Sequence, residues 1–178
     1  MFKGKMVQLR SLAKEDAPHI AKVYNHLETR RFLDDPTPLS KEDIEQWIEK
    51  GWNQRKAHQS YFFAIETLKP RQLIGVCSLF ALNKINQRAE LMIVIYEKRH
   101  RGQGYGSEAL QLLLQFGFNQ LNLHRILLFT HDINKAAQRL YEKIGFKPGG
   151  RRRQASFFEG AYHDLLLYEM LAPEFSVD

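Results

Sequence analysis

The stretch Lys98-Arg99-His100-Arg101-Gly102-Gln103-Gly104-Tyr105-Gly106-Ser107 is a basic turn punctuated by three glycines, and its flanks decide how it is read. On its N-terminal side, Leu91 to Ile95 is an unbroken run of Leu, Met, Ile and Val, which predicts a strand buried on both faces. On its C-terminal side, Ala109, Leu110, Leu113, Leu114 and Phe116 to Phe118 recur at helical spacing. The glycines therefore sit where a strand gives way to a helix. A helix start leaves backbone N–H groups unpaired and carries partial positive charge, and glycine lets an anion approach the backbone with no Cβ in the way. Arg99 and Arg101 add formal charge. The stretch predicts a phosphate cradle.

Spacing separates the kinds of cradle. A triphosphate loop, G-x-x-x-x-G-K followed by Ser or Thr, is absent. A dinucleotide fingerprint needs G-x-G-x-x-G and an acid about twenty residues on; here the spacing is G-x-G-x-G, and Asn122 to Ile126 holds no acid. Arg101, Gly104 and Gly106 satisfy a third pattern: Gln or Arg, two residues, Gly, one residue, then Gly or Ala. A second motif runs from Asn134 through Ala137 and Tyr141 to Gly145-Phe146. Tyr141 follows Asn134 by seven residues, two helical turns, so both side chains point the same way and can line a cleft. Ala137 keeps that face thin.

Together the motifs resemble the GNAT superfamily of CoA-dependent N-acetyltransferases, whose pyrophosphate loop has the first pattern and whose next helix carries the second as N-x-x-A-x-x-x-Y-x-x-x-G-F. The resemblance spans Met6 to Leu171. It is similar to the group containing spermidine N-acetyltransferases and ribosomal-protein N-terminal acetyltransferases, through Leu9-Arg10, Glu15-Asp16, Ile74-Gly75, Arg88-Ala89-Glu90 and Gly160-x-Tyr162-x-Asp164. One departure is visible. Where many members have A-E-x-G-Y, this chain has Ala89-Glu90-Leu91-Met92-Ile93, so Met92 either narrows the acceptor side or reshapes a bulge.

The rest of the chain fits a mixed α/β domain. Met6 to Arg10 alternates as a strand, Ala13 to Asn25 reads as a helix, and Glu28 to Leu33 is short helix or irregular. Asp34-Asp35-Pro36-Thr37-Pro38 is a loop, and Ser40 with Asp43 forms a capping-box variant ahead of Ile44, Trp47, Ile48 and Trp52. Strands follow at Tyr61 to Glu66, Leu73 to Leu82 and Arg88 to Ile95, and later at Arg125 to Thr130. Phe146 with Ala155 to Phe158, and Tyr162 to Leu171, close the fold about a turn at Glu159-Gly160. The expected architecture is a central, mostly antiparallel sheet of six to seven strands, with one parallel pair where the glycine-loop helix crosses over, flanked by about four helices. This is also what the resemblance implies.

Composition bounds the rest. A chain of 178 residues with 44% hydrophobic content suits one domain over 1–178. No apolar run approaches twenty residues and no signal pattern opens at Met1, so a soluble, cytoplasmic protein without membrane attachment is expected, and a homo-oligomer stays open. Cys77 stands alone in an apolar segment and reads as an inert core residue. The net charge of +6 admits nucleic acid or an anionic ligand. Because the basic residues cluster at Lys98 to Arg101 and Lys147 to Arg153, with no stripe interleaved with aromatics, a compact polyanion such as CoA fits and nucleic acid is not expected. The run Arg151-Arg152-Arg153 reads as a solvated basic turn. His100, His124 and His131 lack metal-ligand spacing, so no metal is expected.

The resemblance implies acetyl-CoA as cosubstrate and, as acceptor, a small-molecule amine or a peptide N-terminus, joined in one ternary complex. It implies that Arg99, Arg101, Gly102, Gln103, Gly104, Tyr105, Gly106 and Ser107 hold the pyrophosphate, while Asn134 meets the pantetheine arm or caps its helix. Backbone N–H groups of Met92, Ile93 and Val94 would stabilise the oxyanion. Glu90 is the candidate base, directly or through water, and Tyr141 the acid that protonates the leaving thiolate, for which a lowered phenol pKa would help. Asp34 and Asp35 are candidate contacts to a cationic acceptor. The rival reading is a CoA-binding or interaction module without turnover.

Overall fold

In the computed structural model, residues 2–30 and 37–176 are described. Phe2–Lys3 (β1) folds back antiparallel on Val7–Ser11 (β2). The helix expected over Ala13 to Asn25 starts later, at Ala17–Tyr24 (α1), after a turn of 3-10 helix at Lys14–Asp16; Pro18, which has no N–H to lose, occupies its first turn. Arg10 fixes this entry by gripping the Asp16 carboxylate with two nitrogens, each 2.8 Å away. Leu27–Arg30 forms a single turn (α2), and Lys41–Lys56 (α3) opens on the expected capping box: the Asp43 N–H donates to Ser40 Oγ at 3.1 Å and the Ser40 N–H to Asp43 Oδ2 at 2.7 Å.

Three β-rich runs become Tyr61–Thr67 (β3), Leu73–Asn83 (β4) and Arg88–Ile95 (β5), each antiparallel to its predecessor. Tyr105–Gln115 (α4) follows the glycine loop and widens into a π-helical turn at Phe116–Gln120. Arg125–His131 (β6), Lys135–Ile144 (α5), Lys147–Phe158 (β7) and Ala161–Leu171 (β8) complete the chain. The sheet order is β1-β2-β3-β4-β5-β6-β8-β7, with β5 and β6 its parallel pair. This is the mixed α/β sheet expected. Its eighth strand is the two-residue β1, too short to alternate legibly, and its fifth helix is the single turn α2.

One correction concerns Arg151 to Arg153. They lie within β7, which runs unbroken from Lys147 where a basic turn ahead of Ala155 to Phe158 was expected; register shifts against β8 between Pro148 and Gly150 and between Arg152 and Ser156 absorb the surplus residues. The charges remain exposed, Arg151 paired with Asp164 and Arg152 stacked 4.2 Å from the Phe129 ring centre. A basic, bulged edge strand discourages pairing with another sheet.

Alternation sorts the core onto two faces of the sheet. Leu110, Leu113 and Leu114 of α4 bury Cys77, Leu79, Leu91 and Ile126 on one side, together with Tyr141. On the other, Ile20, Ile44 and Ile48 from α1 and α3 bury Ala64, Val76 and Tyr96. Cys77 is fully buried, and burial pushes its thiol pKa up, as an inert core residue requires.

Candidate active site

The parallel ladder between β5 and β6 is three pairs long, Arg88 with Arg125, Ala89 with Ile126 and Glu90 with Leu127. Both strands continue past it without pairing. The cause lies on the other edge of β5. A Cβ on Gly75 of β4 would stand 2.2 Å from the Val94 carbonyl oxygen, so glycine alone lets the end of β5 press this closely on β4, away from β6. Arg101 holds it there, donating from Nε to Ile95 O at 3.0 Å and from Nη2 to Tyr96 O at 2.7 Å; Thr29 Oγ1 donates to the same Tyr96 oxygen at 3.0 Å.

The gap is a cleft of about 540 Å³ that passes through the sheet. Met92, Ile93 and Val94 form one wall, while Phe129 and His131 form the other. Gly102, Gly104, Gly106 and Ser107 close one end, and Asn134, Ala137 and Tyr141 face it from α5. The two motifs read in the sequence thus meet across a single space.

Gly104 is the N-cap of α4 with φ of 91°, a left-handed conformation that glycine adopts without strain, and no side chain caps the helix. The loop therefore presents a helix start to the cleft, where an anion is favoured. Glu108 supports it from behind: its carboxylate accepts from the N–H groups of Lys5, Met6 and Val7, each at 2.7 Å, and the Met6 Cε lies 3.1 Å from where a Gly104 Cβ would stand.

Not every residue of the expected cradle faces the cleft. Arg101 reaches it, but its guanidinium is a strut between loop and strand. Arg99 points out and pairs with Glu97 at 3.0 Å, while Gln103 turns back onto the Arg99 carbonyl. Neither they nor Tyr105 line the space. Asn134 caps α5, its Oδ1 accepting from the Ala137 N–H at 3.2 Å, and still lines the cleft. Of the two expected uses of its amide, the cap is the one formed here.

Tyr141 is buried against Phe146 and Tyr168, and burial pushes its phenol up to about 12. This is the reverse of the lowered value an acid would want. Among the described residues no cation offsets the cost of burying a phenolate. Glu90 sits at the last rung of the ladder, on the same sheet face as Met92 and Val94, beside the cleft and outside its lining. The ladder of β5 with β4 runs without a shift from Ile95 to Glu90, so Met92 reshapes no bulge against β4. Asp34 and Asp35 lie outside the described residues.

Thr29 and Phe129 belong to neither motif and yet line the cleft, as does His131, whose Nε2 lies 2.9 Å from Ser156 Oγ. Their signal was positional: Phe129 and His131 alternate at the end of the strand leading to the Asn134 motif. Among the described residues no group of three or more His, Cys, Asp or Glu could hold a metal ion, and no helix is long and apolar enough to cross a membrane.

Comparison with known proteins agrees with this geometry. The chain is 28% identical to a spermidine N(1)-acetyltransferase of Vibrio cholerae, with 88% of each chain covered. It superposes with a TM-score of 0.86 and 26% identity on a crystal structure of spermidine N-acetyltransferase from Vibrio cholerae in complex with CoA and spermine, covering 96% of this chain and 98% of that one. A ribosomal L7/L12 alpha-N-protein acetyltransferase in complex with coenzyme A, 20% identical, shares the fold with a TM-score of 0.85 over 94% of this chain and 95% of the other. The acetyltransferase (GNAT) domain family matches residues 7–147, and the chain belongs to that family of N-acetyltransferases.

Proposed function

We propose that residues 1–178 form one acetyltransferase domain that moves the acetyl group of acetyl-CoA to a primary amine by direct attack, both substrates being bound together. The observation that carries this is the three-rung ladder, which leaves a strand edge, a glycine loop and Tyr141 around one through-going cleft. The fit to CoA rests on the loop. An uncapped helix start receives a pyrophosphate, and the narrow, largely apolar gap between β5 and β6 suits an extended pantetheine arm, whose amides find partners on the unpaired edges.

The chain's own groups then have separable tasks. An amine like that of lysine has a pKa near 10.4, so at neutral pH only about one molecule in a thousand is nucleophilic, a deficit of about 4–5 kcal/mol. Glu90, at the rung where the strands part, accepts the amine's proton directly or through a water. The Ile93 N–H donates to the oxyanion that develops at the acetyl carbonyl, since the N–H groups of Met92 and Val94, also expected there, turn toward β4. Tyr141 donates a hydrogen bond to the departing sulfur. Full transfer of its proton, from about 12 to a thiol near 8.5, would be uphill by about 5 kcal/mol, so Tyr141 stabilises the thiolate while solvent supplies the proton. The acceptors compatible with the relatives are a polyamine and a protein N-terminus.

Initial-rate thiol release over a grid of acetyl-CoA and amine concentrations tests the scheme. Intersecting lines and an unmodified enzyme mass are expected; parallel lines with an acetylated enzyme would replace direct attack by a covalent intermediate. Gly104→Glu, which sets a carboxylate where the pyrophosphate belongs, should abolish CoA binding in calorimetry, and unchanged affinity would remove the cradle.

A further inference from the structure

A second hollow, of about 470 Å³, lies on the α1/α3 face of the sheet between α3, the start of β3 and the end of β4. Trp47, Phe62 and Phe80 give it aromatic walls. Lys50 stands at its edge, and no carboxylate lines it. Ser78 is fully buried and contributes to the lining, yet its hydroxyl finds no hydrogen-bond partner among the described residues. Such a hydroxyl is a cost unless something else meets it.

Met92 connects this hollow to the chemistry, because its side chain lines both the hollow and the cleft. Its cross-strand partner is Ser78, and two residues back along the same face Glu90 lies opposite Phe80. The sequence of groups is therefore an aromatic hollow with a cation and an unmet hydroxyl, a thioether partition, a carboxylate beside the partition, and the acetyl-transfer cleft beyond it.

We propose that this hollow binds the body of the acceptor, and that the acceptor is the N-terminus of a peptide whose leading residues are apolar or aromatic. The inference rests on the acetyl-transfer reading above and narrows its acceptor. The aromatic walls take the side chain, Lys50 and the Ser78 hydroxyl donate to backbone carbonyls, and the free amino group lies past Met92 beside Glu90. A polyamine fits the same surface poorly. Its additional ammonium groups would meet Lys50 and find no acid in the lining.

The test uses the full chain with CoA present. In a Trp52→Phe background Trp47 is the sole tryptophan, and a tripeptide beginning with phenylalanine should change its fluorescence saturably, whereas spermidine should not. This readout needs no turnover, so it separates failure of the acceptor site from failure of acetyl transfer. In thiol release, Lys50→Glu should raise KM for the tripeptide about tenfold and lower that for spermidine, leaving CoA affinity unchanged. Ser78→Ala should raise the tripeptide KM several-fold while the ligand-free protein melts no lower. A flat Trp47 signal with the tripeptide, or a tripeptide KM unmoved by both substitutions, overturns the proposal; saturation by spermidine in its place assigns the hollow to polyamines.

Discussion

A phenol held at about 12 is protonated at every pH at which the protein is worked with, and that limits what Tyr141 can contribute. Under the proposed scheme Tyr141→Phe removes one hydrogen bond to a developing thiolate and little else, since the ring keeps its packing against Phe146 and Tyr168. Turnover should fall about ten- to a thousandfold, with CoA affinity within a few-fold of wild type. The pH–rate profile discriminates further: any basic limb below about pH 11 should persist in the variant, because it belongs to another group. A limb that vanishes with the hydroxyl would mean that bound CoA drives the phenol's pKa down. Tyr141 was legible from its spacing to Asn134. Its acidity was not, because it depends on burial by Tyr168, a residue of a distant strand.

Single elements here are tied together by reaches that no local pattern reveals. Glu108 looks like an ordinary acid in the first turn of a helix, where the dipole favours it. Its carboxylate in fact gathers the N–H groups of Lys5, Met6 and Val7, about a hundred residues away, and so pins the β1–β2 turn behind the glycine loop. Glu108→Ala leaves three backbone donors without that acceptor and should cost about 2–3 kcal/mol in urea unfolding. CoA affinity should fall with it, as the loop loses its backing; a stability loss with unchanged affinity would show that the loop holds its shape unaided. The strands, the Ser40 capping box and the Asn134 helix were readable because each is decided by neighbours in sequence. The bulges of β7 depend on β8, and the strut made by Arg101 depends on β5. Its charge and its place in the loop pattern had suggested a phosphate ligand for that arginine.

Across the molecule, ionisable groups make stability depend on pH in two directions. Burial raises the pKa of Tyr61, Tyr96, Tyr141 and Tyr168, the last helped by its hydrogen bond to Glu142. The unfolded chain therefore loses these protons first, near pH 10, and the stability they confer is complete below that value and declines as pH rises from about 10 toward 12. On the acid side, burial opposes the Asp16 carboxylate, but Arg10 and the Ala13 N–H hold its pKa below the usual range; the Gln154 N–H and Arg151 do the same for Asp164. Their contribution is present above about pH 4 and is lost as pH falls below it. Urea midpoints should form a plateau between these limits. A midpoint that climbs above pH 10 would contradict the assignment of the tyrosines.

The three rungs between β5 and β6 also make the sheet a book bound along a short spine. Near the rungs, Leu79, Leu91, Ile126 and Leu128 interleave and keep the leaves together. Farther along, each leaf shows the other an edge of amides and carbonyls that its own backbone cannot serve. Under the proposed function, a pantetheine arm laid in the gap would act as a bookmark stitched to both pages. Deuterium should then enter the gap-facing amides of Ile93, Ile95, Phe129 and His131 more slowly when CoA is bound, and the leaves, loosely coupled without it, should open and close as one body.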